Sequence, residues 1–143
     1  MGYALAEAAL LLGANVNLIS GPVTIKAPIG ANLINIESAE QLLNEALVYA
    51  PQSDAFIGCA AVADYRAGEV ATQKMKKQGD ELTLTLVKNP DVIAAVANIE
   101  KNRPYTVGFA AETQNVESYA KGKLVNKNLD MICANDVSQS GLG

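Results

Sequence analysis

The 143-residue sequence contains no histidine and no tryptophan, only two cysteines, and aromatic residues at 5%. Without histidine there is no imidazole base and no His-ligated metal site. Cys59 and Cys133 sit in apolar stretches with no CxxC or other metal-ligand spacing. They read as buried structural thiols of a reducing compartment. No apolar run reaches the roughly 18 residues of a membrane-spanning helix. No basic segment precedes the first apolar stretch, as a signal peptide would require. The cytoplasm, with no membrane partner, is the expected location. GxGxxG and GxxxxGK[ST] are both missing, so no motif supports a Rossmann dehydrogenase or a P-loop enzyme. A formal net charge of −4 argues against nucleic acid as a partner. Chemistry is left to lysine, arginine, aspartate, backbone amides and a bound cation.

What is present is half apolar and 18% charged, the balance of one globular domain with one core. Residues 3–12 place Leu5, Ala8, Ala9 and Leu12 at helical spacing, and Gly13 supplies the stop. Strand candidates follow at 16–20 and 33–36. Ser38 with Gln41 fits a capping box for a helix over 39–50, whose stripe is Leu42, Leu43, Ala46 and Leu47. Pro51 ends it, and residues 55–61 form the central strand. Residues 81–87 alternate in strict period two, as a strand with one wet face does. Such a strand suits an edge or a protruding arm that could pair with a second copy. A helix over 92–99 starts behind Pro90 and Asp91. A strand at 106–110, a helix over 115–126 and a strand at 129–134 complete the pattern. This is α/β: a Rossmann-like open, mostly parallel sheet with helices on both faces, plus an arm. An opening helix in such a fold ordinarily follows a strand and a loop. The expectation is one domain, 1–143, truncated at both ends and lacking its first strand and first strand-to-helix loop.

The stretch Phe56-Ile57-Gly58-Cys59-Ala60-Ala61-Val62-Ala63-Asp64-Tyr65-Arg66 organises the rest. An apolar strand turns small and then ends on a carboxylate, a phenol and a guanidinium. Small side chains let a ligand approach the backbone, and open α/β sheets bind ligands beyond the carboxyl ends of their strands. The same composition also suits a strand end against which a helix packs closely. Two further strand ends, at residues 109–113 and at Asn135 and Asp136, should meet the same edge. The helix start at Pro90 and Asp91 would face it, which suits an anion. Lys74, Lys76, Lys77, Lys88, Lys121, Lys123 and Lys127 could offset phosphate charge or merely solvate a surface. Lys123 and Lys127 share one helix face by i, i+4 spacing.

Gly58-Cys59-Ala60-Ala61-Val62-Ala63-Asp64-Tyr65-Arg66, Lys74-Met75-Lys76-Lys77, Val87-Lys88-Asn89-Pro90-Asp91, Gly108-Phe109-Ala110-Ala111-Glu112-Thr113 and Ala134-Asn135-Asp136-Val137 occur in that order. Together they resemble the phosphopantothenate–cysteine ligases of bacterial coenzyme A biosynthesis, over essentially the whole chain. The resemblance implies a ligase that joins 4′-phosphopantothenate to cysteine through an acyl-cytidylate, with CTP as co-substrate and Mg²⁺. It implies nucleotide contacts at Gly58, Cys59, Ala60, Asp64, Lys74, Pro90, Asp91, Val92, Ile93, Phe109, Lys123 and Lys127. Lys74 corresponds to the catalytic lysine of a mobile flap, and Asp64 is the candidate metal ligand. It further implies a homodimer and a flavin-dependent decarboxylase domain ahead of the ligase. The family also places a glycine-rich loop and an Asn-x-Ser-Ser-Gly-Lys segment before the Met-Gly with which this sequence opens. Two other readings stay open: a non-catalytic nucleotide-binding or assembly module of that enzyme, and a nicotinamide-dependent oxidoreductase domain.

Overall fold

The computed structural model describes residues 1–76, 79, 81–136 and 138. Lys77 of the basic run and Val137 of the last motif lie outside the described residues. The first helix, α1 (Gly2–Leu11), ends in a reciprocal pair of backbone bonds: Gly13 N to Leu10 O at 2.9 Å and Ala14 N to Ala9 O at 3.0 Å. That closure needs a left-handed residue, and Gly13 supplies φ +88°. Its inward side carries Ala6, while Leu12 is 89% exposed, so the face differs from the one expected. The reason is the neighbour. The Tyr3 hydroxyl lies 2.9 Å from Ser20 Oγ, which turns the Tyr3–Ala6 side of the helix inward.

Strands β1 (Asn17–Ser20) and β2 (Asn32–Asn35) pair in parallel. Helix α2 (Ala39–Tyr49) begins with the expected capping box. Gln41 N donates to Ser38 Oγ at 3.2 Å, and Ser38 N donates to Gln41 Oε1 at 3.2 Å. A short 3-10 turn, Ala50–Gln52, absorbs Pro51 before β3 (Ala55–Gly58). Strand β3 pairs in parallel with β6 (Tyr105–Glu112), which pairs in parallel with β7 (Met131–Asp136). β1 and β3 each pair on one side only among the described residues. The fold is therefore the α/β, mostly parallel open type expected from the sequence.

One core joins these parts. Ala46 and Ala50 meet Val92 and Val96 of α3 (Val92–Ala97), with Ile19, Leu42, Leu43, Phe56 and Ile99 packed around them. Helix α4 (Val116–Asn126) packs on β6 and β7. It closes like α1, but with Asn128 in the left-handed conformation, at φ +56°. The Asn128 side chain also donates to Ala97 O at 3.0 Å, tying α4 to α3.

The alternating segment 81–87 is only partly a strand. β5 (Leu86–Lys88) pairs antiparallel with β4 (Tyr65–Ala67), and Gly68 N donates to Thr85 O at 2.8 Å. Beyond that point no ladder continues among the described residues, since β4 offers only three residues to pair with. Leu82 and Leu84 are 70% and 60% exposed.

Candidate functional site

Parallel pairing aligns Gly58 with Gly108, and Gly108 with Ile132. β6 and β7 then run on together to Glu112 and Asp136, while β3 gives way to the segment 59–64. The three carboxyl ends lie at one edge, as expected from the sequence. α3 covers part of that edge by close packing. A Cβ on Gly58 would stand 2.8 Å from Ile93 Cδ1, and one on Gly108 would stand 2.7 Å from Leu129 Cδ1 and 3.2 Å from Ile93 Cδ1. Gly58 thus serves the helix-packing role that its composition also allowed, with Ile93 seated between the two glycines. Val92 is buried and Phe109 half-buried, beside Cys133 in the register. Cys59 and Cys133 are free and half-buried. Burial pushes the Cys59 thiol up, which disfavours a reactive thiolate here.

The charged residues are arranged in a way the sequence did not disclose. Lys123 Nζ contacts Glu112 Oε1 at 2.5 Å, and Lys127 Nζ contacts Asp91 Oδ2 at 2.9 Å. The i, i+4 spacing places both lysines on one side of α4. The carboxylates that receive them come from the end of β6 and from the residue that caps α3. Asp91 also accepts the Ala94 N–H at 3.2 Å, so the start of this six-residue helix already has an anionic cap. An incoming phosphate would find each lysine held by a carboxylate and would have to exchange with it. Glu112 is the site residue that the sequence reading passed over. Its signal was available, because a strand-end carboxylate within a helix's reach of two lysines pairs readily. Lys121 is occupied elsewhere, 2.6 Å from Glu117 one turn back on α4.

Lys74 lies in the connection between β4 and β5, exposed, with no hydrogen bond or ion pair among the described residues. Asp64 stands where segment 59–64 enters β4; its carbonyl accepts the Asn89 N–H at 2.8 Å and its side chain is exposed. Asn89 also donates Nδ2 to Ala63 O at 2.8 Å and accepts Arg66 Nη1 at 3.0 Å. A surface hollow of ≈ 420 Å³ lies beside this group, lined by Glu40, Leu43, Arg66, Lys88, Asn89 and Pro90. Among the described residues no cluster of three or more His, Cys, Asp or Glu side chains could hold a metal ion. Magnesium is commonly held by one or two carboxylates together with substrate phosphates, a mode that needs no such cluster. Asp64, exposed at the strand edge, fits that mode. No helix among the described residues is long and apolar enough to cross a membrane.

Comparison with known proteins bears on the whole length. The family model described as the DNA/pantothenate metabolism flavoprotein C-terminal domain matches residues 1–143. The Coenzyme A biosynthesis bifunctional protein CoaBC of Vibrio vulnificus is 55% identical over 145 residues, covering 100% of this chain and 36% of the relative. The CoaBC protein of Haemophilus influenzae is 59% identical over 138 residues, covering 96% of this chain and 34% of the relative. The crystal structure of a CoaBC C-terminal domain superposes with a TM-score of 0.81 at 37% identity, covering 94% of this chain and 62% of that one. The chain spans about a third of the length of the curated relatives it matches.

Proposed function

Because the chain belongs to the family of the DNA/pantothenate metabolism flavoprotein C-terminal domain, we propose that it is the ligase part of a coenzyme A biosynthesis enzyme, joining 4′-phosphopantothenate to cysteine. The carboxylate of 4′-phosphopantothenate attacks the α-phosphate of CTP, forming an acyl-cytidylate and releasing pyrophosphate. The cysteine amine then attacks the acyl carbon, forming the amide and releasing CMP. The observation that carries this reading is the strand edge itself. Lys123 and Lys127 reach it from one helix and are held there by Glu112 and Asp91.

Anion attacks anion in the first step, so catalysis rests on cations set against the developing charge. Lys74, exposed on the β4–β5 connection and unpaired among the described residues, would bring its ammonium to the α-phosphate as the arm closes and excludes water. Lys123 and Lys127 would exchange their carboxylates for the outer phosphates. The backbone at Gly58, Cys59 and Ala60, with Pro90, Asp91, Val92, Ile93 and Phe109, would border the nucleoside. Mg²⁺, when bound at Asp64 with the phosphates, supplies further charge neutralisation. Histidine is not needed, because the leaving groups are phosphates and not amines.

The exposed Leu82, Leu84 and Leu86 support a homodimer formed through the arm. The same surface favours a second reading, a nucleotide-binding assembly module without catalysis of its own. A flavin-dependent decarboxylase domain in the same polypeptide and a cytoplasmic location belong to the first reading. Calorimetric titration with CTP, ATP and NADPH, each with Mg²⁺, tests the proposal. CTP should bind more tightly than ATP. Equal binding of CTP and ATP would remove the cytidylate step, and binding of NADPH alone would turn the reading to an oxidoreductase. CTP binding without pyrophosphate release in the full polypeptide would leave the assembly module.

A further inference from the structure

Asn89 sits at the junction of three pieces that the proposed site needs together. It directly follows β5 and directly precedes Pro90 and Asp91. Its backbone N–H donates to Asp64 O at 2.8 Å, and its side-chain Nδ2 donates to Ala63 O at 2.8 Å. Its Oδ1 accepts Arg66 Nη1 at 3.0 Å, while the same guanidinium nitrogen also donates to Lys88 O at 3.1 Å. The orientation of the amide is fixed by chemistry. A guanidinium can only donate and a backbone carbonyl can only accept, so Oδ1 must face Arg66 and Nδ2 must face Ala63. Only a short side-chain amide offers both groups side by side at this reach. An aspartate here would set one oxygen against the Ala63 carbonyl, and an alanine would leave both neighbours without their bonds.

We infer that Asn89 is a positioning residue, clasping segment 59–64 to the start of α3 so that Asp64 and the Asp91–Lys127 pair keep one spacing. The clasp is continuous along the chain. Asn89 holds the backbone of Ala63 and Asp64, Pro90 fixes the next φ, and Asp91 both caps α3 and receives Lys127 at 2.9 Å. Arg66 draws β4 of the arm into the same knot, so the Asn89 side chain adds a tie between the arm that carries Lys74 and the strand edge. As a role in nucleotide binding this rests on the ligase reading; as a clasp on segment 59–64 it does not.

The test uses the full polypeptide with Asn89→Asp, which keeps the shape, the backbone N–H and the acceptor for Arg66. The variant should accelerate hydrogen exchange of the amides in segment 59–64, with no nucleotide present. It should raise the KM for CTP about tenfold, the scale of one directed hydrogen bond lost, while kcat and the thermal midpoint stay close to wild type. Asn89→Ala, which removes the clasp without adding charge, is read the same way should the aspartate variant not fold. Unchanged exchange in segment 59–64 overturns the inference, and so does a KM for CTP that stays at the wild-type value while the apparent kcat falls with the folded fraction. If the wild type neither binds nor turns over CTP, the ligase reading fails, and the exchange measurement still decides whether Asn89 is a clasp.

Discussion

The strand edge and the arm were built from similar apolar sequence and ended as opposites. At the edge, Val92 and Ala110 are buried, and glycines are packed so closely that a single Cβ would collide. In the arm, Tyr65, Val70, Leu82 and Leu84 are 58%, 82%, 70% and 60% exposed. Parallel strands with a helix over them define their own core, and apolar residues on the helix-facing side find partners within the chain, while Ile57 and Met131 stay 46% exposed. An alternating strand defines only which of its faces is apolar, and its ladder stops where its partner does. The edge is therefore the closely packed half of the proposed site, and the arm is the exposed half.

The sharpest way to break that contrast lies in the arm. Lys74→Gln in the full polypeptide should lower pyrophosphate release by about 10²-fold, the scale of a lost transition-state contact. Folding should be intact, because an exposed loop lysine with no partner among the described residues contributes little to stability. CTP affinity should fall less than the rate does. Near-normal pyrophosphate release would make Lys74 one solvated charge among several and return the arm to a passive role.

The edge should respond in the reverse sense. Gly108→Ala places a methyl group 2.7 Å from Leu129 Cδ1 and 3.2 Å from Ile93 Cδ1. Denaturant unfolding should show a loss of about 1–3 kcal/mol, the usual range for overpacking a filled core. No loss would mean that Ile93 and Leu129 rearrange freely and that the edge is softer than its packing suggests.

A smaller effect separates the two ends of the same sheet. At the opposite end, the Thr106 N–H lies 2.7 Å from Asp130 Oδ2, and Arg103 Nη1 lies 2.7 Å from the same oxygen. The Thr106 bond, and behind it the Arg103 guanidinium, hold the Asp130 carboxyl below its usual 3.8, against the opposing effect of burial. A depressed carboxyl stabilises the fold fully above its unfolded value and ceases to do so as pH falls through the folded one. The urea midpoint should therefore drop as pH falls below about 4, and Asp130→Asn should flatten that part of the profile. An identical acid limb in both proteins would remove Asp130 from the linkage.

The smallest change expected in folding is also in the arm. Leu84→Lys should leave the unfolding midpoint near wild type, since Leu84 is 60% exposed. It should shift sedimentation toward monomer by putting charge on a face proposed to pair with a second copy. An unchanged dimer, or a wild type that is already monomeric, would take the arm out of assembly.

Local rules in the sequence were enough for most of the fold. Ser38 and Gln41 announced α2 because a capping box is a contact between residues three apart, and Gly13 announced the end of α1 because its φ is a property of one residue. Asp91 before an apolar run marked the start of α3 in the same way. The meeting of three strand ends at one edge followed from alternating strands and helices under a fixed crossover hand. The buried face of α1 was different, because an alanine-rich helix is apolar on every side and only the Tyr3 contact with Ser20 selects which side turns in. The pairing of Lys123 with Glu112, of Lys127 with Asp91, and of Asn89 with Ala63, Asp64 and Arg66 joins residues from 11 to 36 positions apart. Sequence determined which groups this protein brings to its strand edge. Tertiary structure decided which of them hold one another, because a charge or an amide chooses its partner by distance and direction, and those exist only once the chain has packed.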